Sequence, residues 1–167
     1  MIVAGTGHRL SELVGIFERG GREALHHNLT ALAEAYLVST QPSEVISGMA
    51  VGWDMALAEA AENLAIPLLA AIPCLGQDVL WDDDQRERWR SLCSRAKEVV
   101  YVSERSYDST CMKRRNEWMV NRADRVVALW DGRRRGGTWS CVAYANKKKV
   151  PVDNLWEQWS TRWRRSS

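Results

Sequence analysis

Three short apolar runs in this chain stop in glycine-bearing turns, and a helical pattern follows each. Met1 to Ala4 leads into Gly5-Thr6-Gly7-His8-Arg9. Glu44 to Ser47 leads into Gly48-Met49-Ala50-Val51-Gly52-Trp53-Asp54, and Val126 to Trp130 leads into Asp131-Gly132-Arg133-Arg134-Arg135-Gly136-Gly137-Thr138. Leu68 to Ile72, stopped by Pro73, and Glu98 to Val102 read as further strands, and Val150 to Val152 as a last edge strand, where Pro151 is tolerated. Between them, Gly21–Val38, Asp54–Leu64, Asp82–Ala96, Cys111–Arg122 and Thr138–Lys147 carry helical spacing. Repeated β-then-α units predict an α/β fold, a single-domain Rossmann-like parallel sheet with helices on both faces. Right-handed crossovers then bring all strand C-termini to one edge. Ligands bind at that edge, where the strand order reverses.

With 167 residues the chain suits one domain with a real core. The expected domain covers residues 1–153, with 154–167 as a C-terminal Trp/Arg-rich amphipathic tail. In that tail Trp156, Trp159 and Trp163 stand at helical spacing beside Arg162, Arg164 and Arg165. The tail is expected to dock on the domain or on a partner subunit. A net charge of +2 argues for neither nucleic acid nor an acidic membrane, so neither is expected as a partner. No apolar run is long enough to span a bilayer, and the chain opens almost directly on a strand, so a cytoplasmic protein without a signal peptide is expected. Cys74, Cys93, Cys111 and Cys141 form no zinc spacing, so free thiols, no metal and no cofactor are expected.

The candidate chemistry lies in the three turns. A glycine turn between strand and helix exposes backbone N–H groups, and the helix N-terminus adds positive potential. Gly136, Gly137 and Thr138, behind Arg133 to Arg135, therefore suit a phosphate, although no Lys-Ser/Thr pair follows as in a P-loop. Read alone, the segment is either such a cradle or a plain βα turn with solvated arginines. Gly5, Thr6, Gly7, His8 and Arg9 offer hydroxyl, imidazole and guanidinium groups suited to phosphate or ribose. Gly48, Gly52, Trp53 and Asp54 form the second turn, and Asp54 reads as a helix cap, as a hydrogen-bond partner for a ribose hydroxyl or the first loop, or as both. Asp131 opens the third. Arg115, between Met112 and Met119 on one helix face, can reach the same edge. Of nine tryptophans, Trp53, Trp81, Trp130 and Trp139 lie in or beside the loops, and one or two are expected to touch ligand. There is no Ser-His-Asp pattern, no HExxH and no close carboxylate pair that demands acid–base work.

Gly5 to Arg9, Ser47 to Asp54, Pro73…Gln77…Trp81, and Asp131-Gly132…Gly136-Gly137-Thr138 with Tyr144-Ala145 together resemble the YpsA-like family of the SLOG superfamily. That superfamily also holds the LOG phosphoribohydrolases and DprA. The resemblance spans nearly all of the chain up to about residue 153, and it implies a Rossmann-like sheet and a nucleotide-type ligand. Compared with LOG enzymes, Arg115 falls on their arginine, Asn116 on their lysine, Asp124 on their aspartate and Gly137-Thr138 on their glycine-threonine. Cys141 falls where their glutamate stands, and a thiol cannot stabilise an oxocarbenium-like centre as a carboxylate does.

The resemblance therefore implies binding without LOG-type hydrolysis. The expected ligand is ADP-ribose, NAD or a cyclic relative, taken up by a sensor or sequestering protein in stress or virus–host conflict. The alternatives are an enzyme that cleaves or transfers at an N-glycosidic bond through another carboxylate, Asp54 or Asp131, and a single-stranded nucleic-acid binder. A homo-oligomer is also expected.

Overall fold

The central strands are buried along nearly their whole length, as a parallel sheet covered by helices on both faces requires. The computed structural model describes residues 1–14 and 21–164. The strands are β1 (Ile2–Gly7), β2 (Glu44–Ser47), β3 (Leu68–Ile72), β4 (Glu98–Tyr101), β5 (Arg125–Leu129) and β6 (Val152–Asn154). They form one parallel sheet in the order β4-β3-β2-β1-β5-β6. The helices are α1 (Leu10–Val14), α2 (Gly21–Thr40), α3 (Trp53–Asn63), α4 (Asp83–Arg95), α5 (Cys111–Val120), α6 (Gly136–Lys147) and α7 (Trp156–Arg164).

Side chains of successive strand residues point to opposite faces. Val3, Val45, Ala70, Ile72, Val127 and Leu129 pack on one face against Leu29 and Leu37 of α2 and Leu57 of α3. Ala4, Ile46, Leu69 and Ala71 face the other way, against Met119 of α5. Val126 joins Val120, Cys141 and Ala145 on α5 and α6. Each large apolar side chain buried this way contributes roughly 1.5–3 kcal/mol. Trp159 of α7 is 1% exposed and belongs to the α2–α3 cluster. β6 runs through the 153/154 boundary, and Asn154 exchanges hydrogen bonds with the backbone of Trp130 (3.1 and 2.8 Å). Arg165 lies outside the described residues.

Local boundaries differ from the sequence reading for identifiable reasons. β1 continues three residues past Ala4 because Gly5–Gly7 pair with Val127–Leu129. β6 starts at Val152 because the Val150 N–H closes the end of α6 on the Ala145 carbonyl (2.9 Å). α6 begins at Gly136, two residues before Thr138. Asp82 caps α4 in a reciprocal capping box with Gln85, which accounts for the acidic run there.

Candidate functional site

The strand order reverses between β1 and β5, so the crevice expected at a switch point opens over the turns that follow β1, β2 and β5. Backbone hydrogen bonds join the first two turns. Leu10 N–H donates to Val51 O (3.1 Å), and Trp53 N–H donates to His8 O (3.3 Å). Gly52 sits at φ 122°, and a Cβ there would lie 2.6 Å from both His8 O and Leu10 N. Only glycine fits that backbone and that approach. Ser47 fastens the second turn, its hydroxyl donating to Asp54 O (2.7 Å) and accepting from Met49 N–H (3.1 Å). His8 links the first turn to the third: its Nε2 accepts from Asp131 N–H (3.0 Å) and lies 3.2 Å from the Asp131 carboxylate.

The centre of the site is a buried charged cluster around Gly48. Arg115, 6% exposed, reaches from α5 and donates through Nη1 to the Gly48 carbonyl, and through Nε to Asn116 Oδ1 (3.0 Å). Gln77, from the β3–α4 loop, donates to the same carbonyl (2.9 Å). Asp54 lies 3.7 Å from Arg115 and is 5% exposed. A Cβ on Gly48 would overlap the Arg115 guanidinium and lie 2.7 Å from Asp54 Oδ2, so the cluster needs glycine here. Burial pushes the Asp54 carboxyl up to about 6, against the pull of Arg115, the Ala50 backbone N–H and Arg9. Asp54 is thus the buried counter-charge of Arg115, and Gly52 is the N-cap residue of α3. Cys141 packs beside these groups and is hydrogen-bonded to Thr6. Burial pushes its thiol up to about 11, so it is neutral at pH 7. Cys74 and Cys111, both free, bring their sulfurs to 3.2 Å and tie the Gln77 loop to the start of α5.

The rim is cationic. α6 starts at Gly136 with no side-chain cap on its first N–H groups, and Arg133, Arg134 and Arg135 are exposed just before it. Asn116 holds the helix start by donating to Gly137 O (3.2 Å). Trp130 holds the arginine turn, its Nε1 donating to Arg133 O (2.8 Å) while its ring stacks on Trp139 at 5.4 Å. Asp131 accepts from Arg133 N–H (3.0 Å). Arg9 is exposed and close enough to act on Asp54. An uncapped helix N-terminus beside several guanidinium groups can hold an anion.

Gly5, Thr6, Gly7, His8, Arg9, Gly48, Gly52, Asp54, Arg115, Asp131, Gly136, Gly137 and Thr138 thus lie on or just beneath one strand edge. Trp53 is a correction: it is fully buried against Gly7 and offers no ring face to a ligand. Asp124 stands at the opposite end of β5, where it accepts from Ile2 N–H (2.7 Å). Gln77, part of the family resemblance but not among the expected site residues, joins this cluster through the Gly48 carbonyl. A 510 Å³ groove lies elsewhere, lined by Glu23, Glu59, Glu62, Asp84, Arg88 and Arg95 among others, at the far end of α3. The convergent turns and the uncapped N–H groups of α6 lie at the strand edge, away from that groove. Among the described residues no group of three or more His, Cys, Asp or Glu side chains could hold a metal, and no helix is long and apolar enough to cross a membrane.

The YpsA (YspA SLOG) family profile matches residues 3–155. The prophage-derived protein YoqJ of Bacillus subtilis is 28% identical over 148 residues, covering 79% of this chain and 85% of its own. A UPF0398 protein of Bacillus cereus is 28% identical over 165 residues, covering 92% and 86%. Among solved structures, DNA processing protein A of Helicobacter pylori superposes with a TM-score of 0.61 at 19% identity over 91% of this chain, which spans 63% of that protein. That protein binds single-stranded DNA. Its likeness corrects the expectation that set nucleic acid aside: a domain of this fold serves such a protein, and a net charge of +2 averages over a rim that is locally cationic.

Proposed function

The chain belongs to the YpsA (YspA SLOG) family, and on that premise we propose that it binds a nucleotide-derived small molecule, of the ADP-ribose or NAD type, at the β1/β5 switch point. The observation that carries this is the convergence of three turns on one edge, with an uncapped α6 N-terminus and four arginines above a buried Arg115–Asp54 pair. The phosphate would lie on the Gly136–Thr138 amides, with Arg9 and Arg133–Arg135 supplying charge. Thr6, His8 and Asp131 hold the turns in place.

Binding without turnover suits the site. Cys141 presents a neutral buried thiol inside the cluster where the LOG-type glutamate would stand, and the Asp131 carboxylate is paired with Arg133. A sensor or sequestering role follows, and a prophage-derived relative is in keeping with phage–host conflict. The test is calorimetry with ADP-ribose, NAD, cyclic ADP-ribose isomers and nucleoside monophosphates. Dissociation constants well below millimolar are expected, since millimolar binding is worth only about 4 kcal/mol. Failure of the whole panel would sink the reading.

A second reading draws on the fold shared with the single-stranded-DNA-binding DprA and on the exposed Arg133–Arg135 run. The same cationic rim would then track a DNA backbone. Titration with an oligothymidylate at several salt concentrations separates the two, because phosphate-backbone binding weakens steeply with salt.

A further inference from the structure

We propose that the floor of the strand-edge site selects ligands by their hydrogen-bond-donating hydroxyls, the cis-diol of a ribose, through Asp54 and Gln77. This rests on the nucleotide reading above and adds the part of the ligand that the floor recognises. Asp54 is 5% exposed, and its Oδ1 receives no hydrogen bond from the protein. Its partner Arg115, at 3.7 Å, is beyond hydrogen-bond range. Arg115 directs its N–H groups elsewhere: Nη1 to Gly48 O, Nε to Asn116 Oδ1 and Nη2 towards Met112 Sδ. Gln77 spends its Nε2 on the same Gly48 carbonyl, which leaves its buried Oε1 without a donor. Two unsatisfied acceptors therefore flank a single peptide group at the end of β2. Buried acceptors without donors are rare and costly, and each one selects for a donor.

The chemistry of a nucleotide sorts itself accordingly. Phosphate oxygens accept hydrogen bonds and carry negative charge, so they cannot satisfy the free acceptors of Asp54 and Gln77 and are repelled by the Asp54 carboxylate. Sugar hydroxyls donate, and a hydrogen bond to a carboxylate is of the strong, charge-assisted kind. The phosphate consequently belongs at the α6 N-terminus and the ribose at Asp54 and Gln77, which orients the ligand. A site that hydrogen-bonds a hydroxyl rejects the analogue lacking it.

The experiment is calorimetry on the full chain with two matched series: ADP-ribose against 2′-deoxy-ADP-ribose, and AMP against 2′-deoxy-AMP and 3′-deoxy-AMP. The expected result is roughly 10- to 100-fold weaker binding of at least one deoxy form in each series. Asp54→Asn is expected to shrink that gap to a few-fold. Because it leaves Arg115 uncompensated and can unfold the chain, Gln77→Met serves as the second variant; it keeps the Arg115–Asp54 pair and is also expected to narrow the gap. Equal affinity for ribose and deoxyribose forms, or a gap unchanged in both variants, would overturn the inference while the nucleotide reading stood. If no nucleotide of either series binds the wild-type chain, the reading and this inference fall together.

Discussion

Gly48→Ala is a one-carbon change whose consequence can be worked from the geometry. The new Cβ would occupy the space of the Arg115 guanidinium and approach Asp54 Oδ2 to 2.7 Å. Gly48 takes no positive φ, so the effect is steric. Arg115 must swing away, losing its charge-assisted bond to the Gly48 carbonyl, worth about 1.5–3 kcal/mol. Without its counter-charge the Asp54 carboxyl is pushed further up and takes a proton at the expense of its charge. Breaking a buried pair outright costs about 3–5 kcal/mol, but the guanidinium is the far end of a flexible side chain and can reach water. A loss of roughly 2–4 kcal/mol follows, which for a domain of this size lowers Tm by about 5–15 °C. Thermal unfolding followed by circular dichroism measures it. A double-mutant cycle sharpens it: Gly48→Ala should cost little once Arg115→Ala has removed the clashing group. A Gly48→Ala chain melting within 2 °C of wild type, or costs that simply add in the cycle, would refute this picture of the cluster.

Further outcomes follow from other residues. Burial raises Asp54 from 3.8 to about 6, so the native state holds a proton that the unfolded chain releases between those values. The stability this group contributes is full below about pH 4 and lost as pH rises through about 6. Urea unfolding should therefore show the Asp54→Asn chain gaining on wild type by roughly 3 kcal/mol between pH 4 and 7. Replacing Arg133, Arg134 and Arg135 together by Ser should weaken ADP-ribose binding at least tenfold while shifting Tm by under 2 °C, because all three are exposed. Trp159→Ala should cost about 3–5 kcal/mol in urea unfolding, since its ring is buried in the α2–α3 cluster.

The alternation of strands and helices along the chain, and hence a parallel sheet, was legible from local patterns: apolar runs of three to five residues, glycine turns and helical spacing; the order of the strands within the sheet was not. The convergence of the three turns was legible for the same reason, since parallel strands must bring them to one edge. What stayed hidden depends on contacts between residues distant in sequence. Asp54 looks like a cap when read beside Gly52 and Trp53, and only the arrival of Arg115 from α5 makes it a buried counter-charge. Gln77 lies in a loop without a periodic pattern, and its role depends on meeting Gly48. Trp53 has the composition of a ligand contact, but the first turn of α3 points it into the core. Net charge misled in its own way, because it sums over the molecule while binding reads the local rim.

We propose a nucleotide-type ligand seated on the turns after β1, β2 and β5. The most direct test is a ¹⁵N-labelled chain titrated with ADP-ribose and followed by amide chemical shifts. The expected result is saturable shifts concentrated in residues 5–9, 48–54 and 131–138, with Gly136 and Gly137 among the largest. Shifts clustered instead around Glu59 and Arg88 at the far end of α3, or none at millimolar ligand, would contradict it.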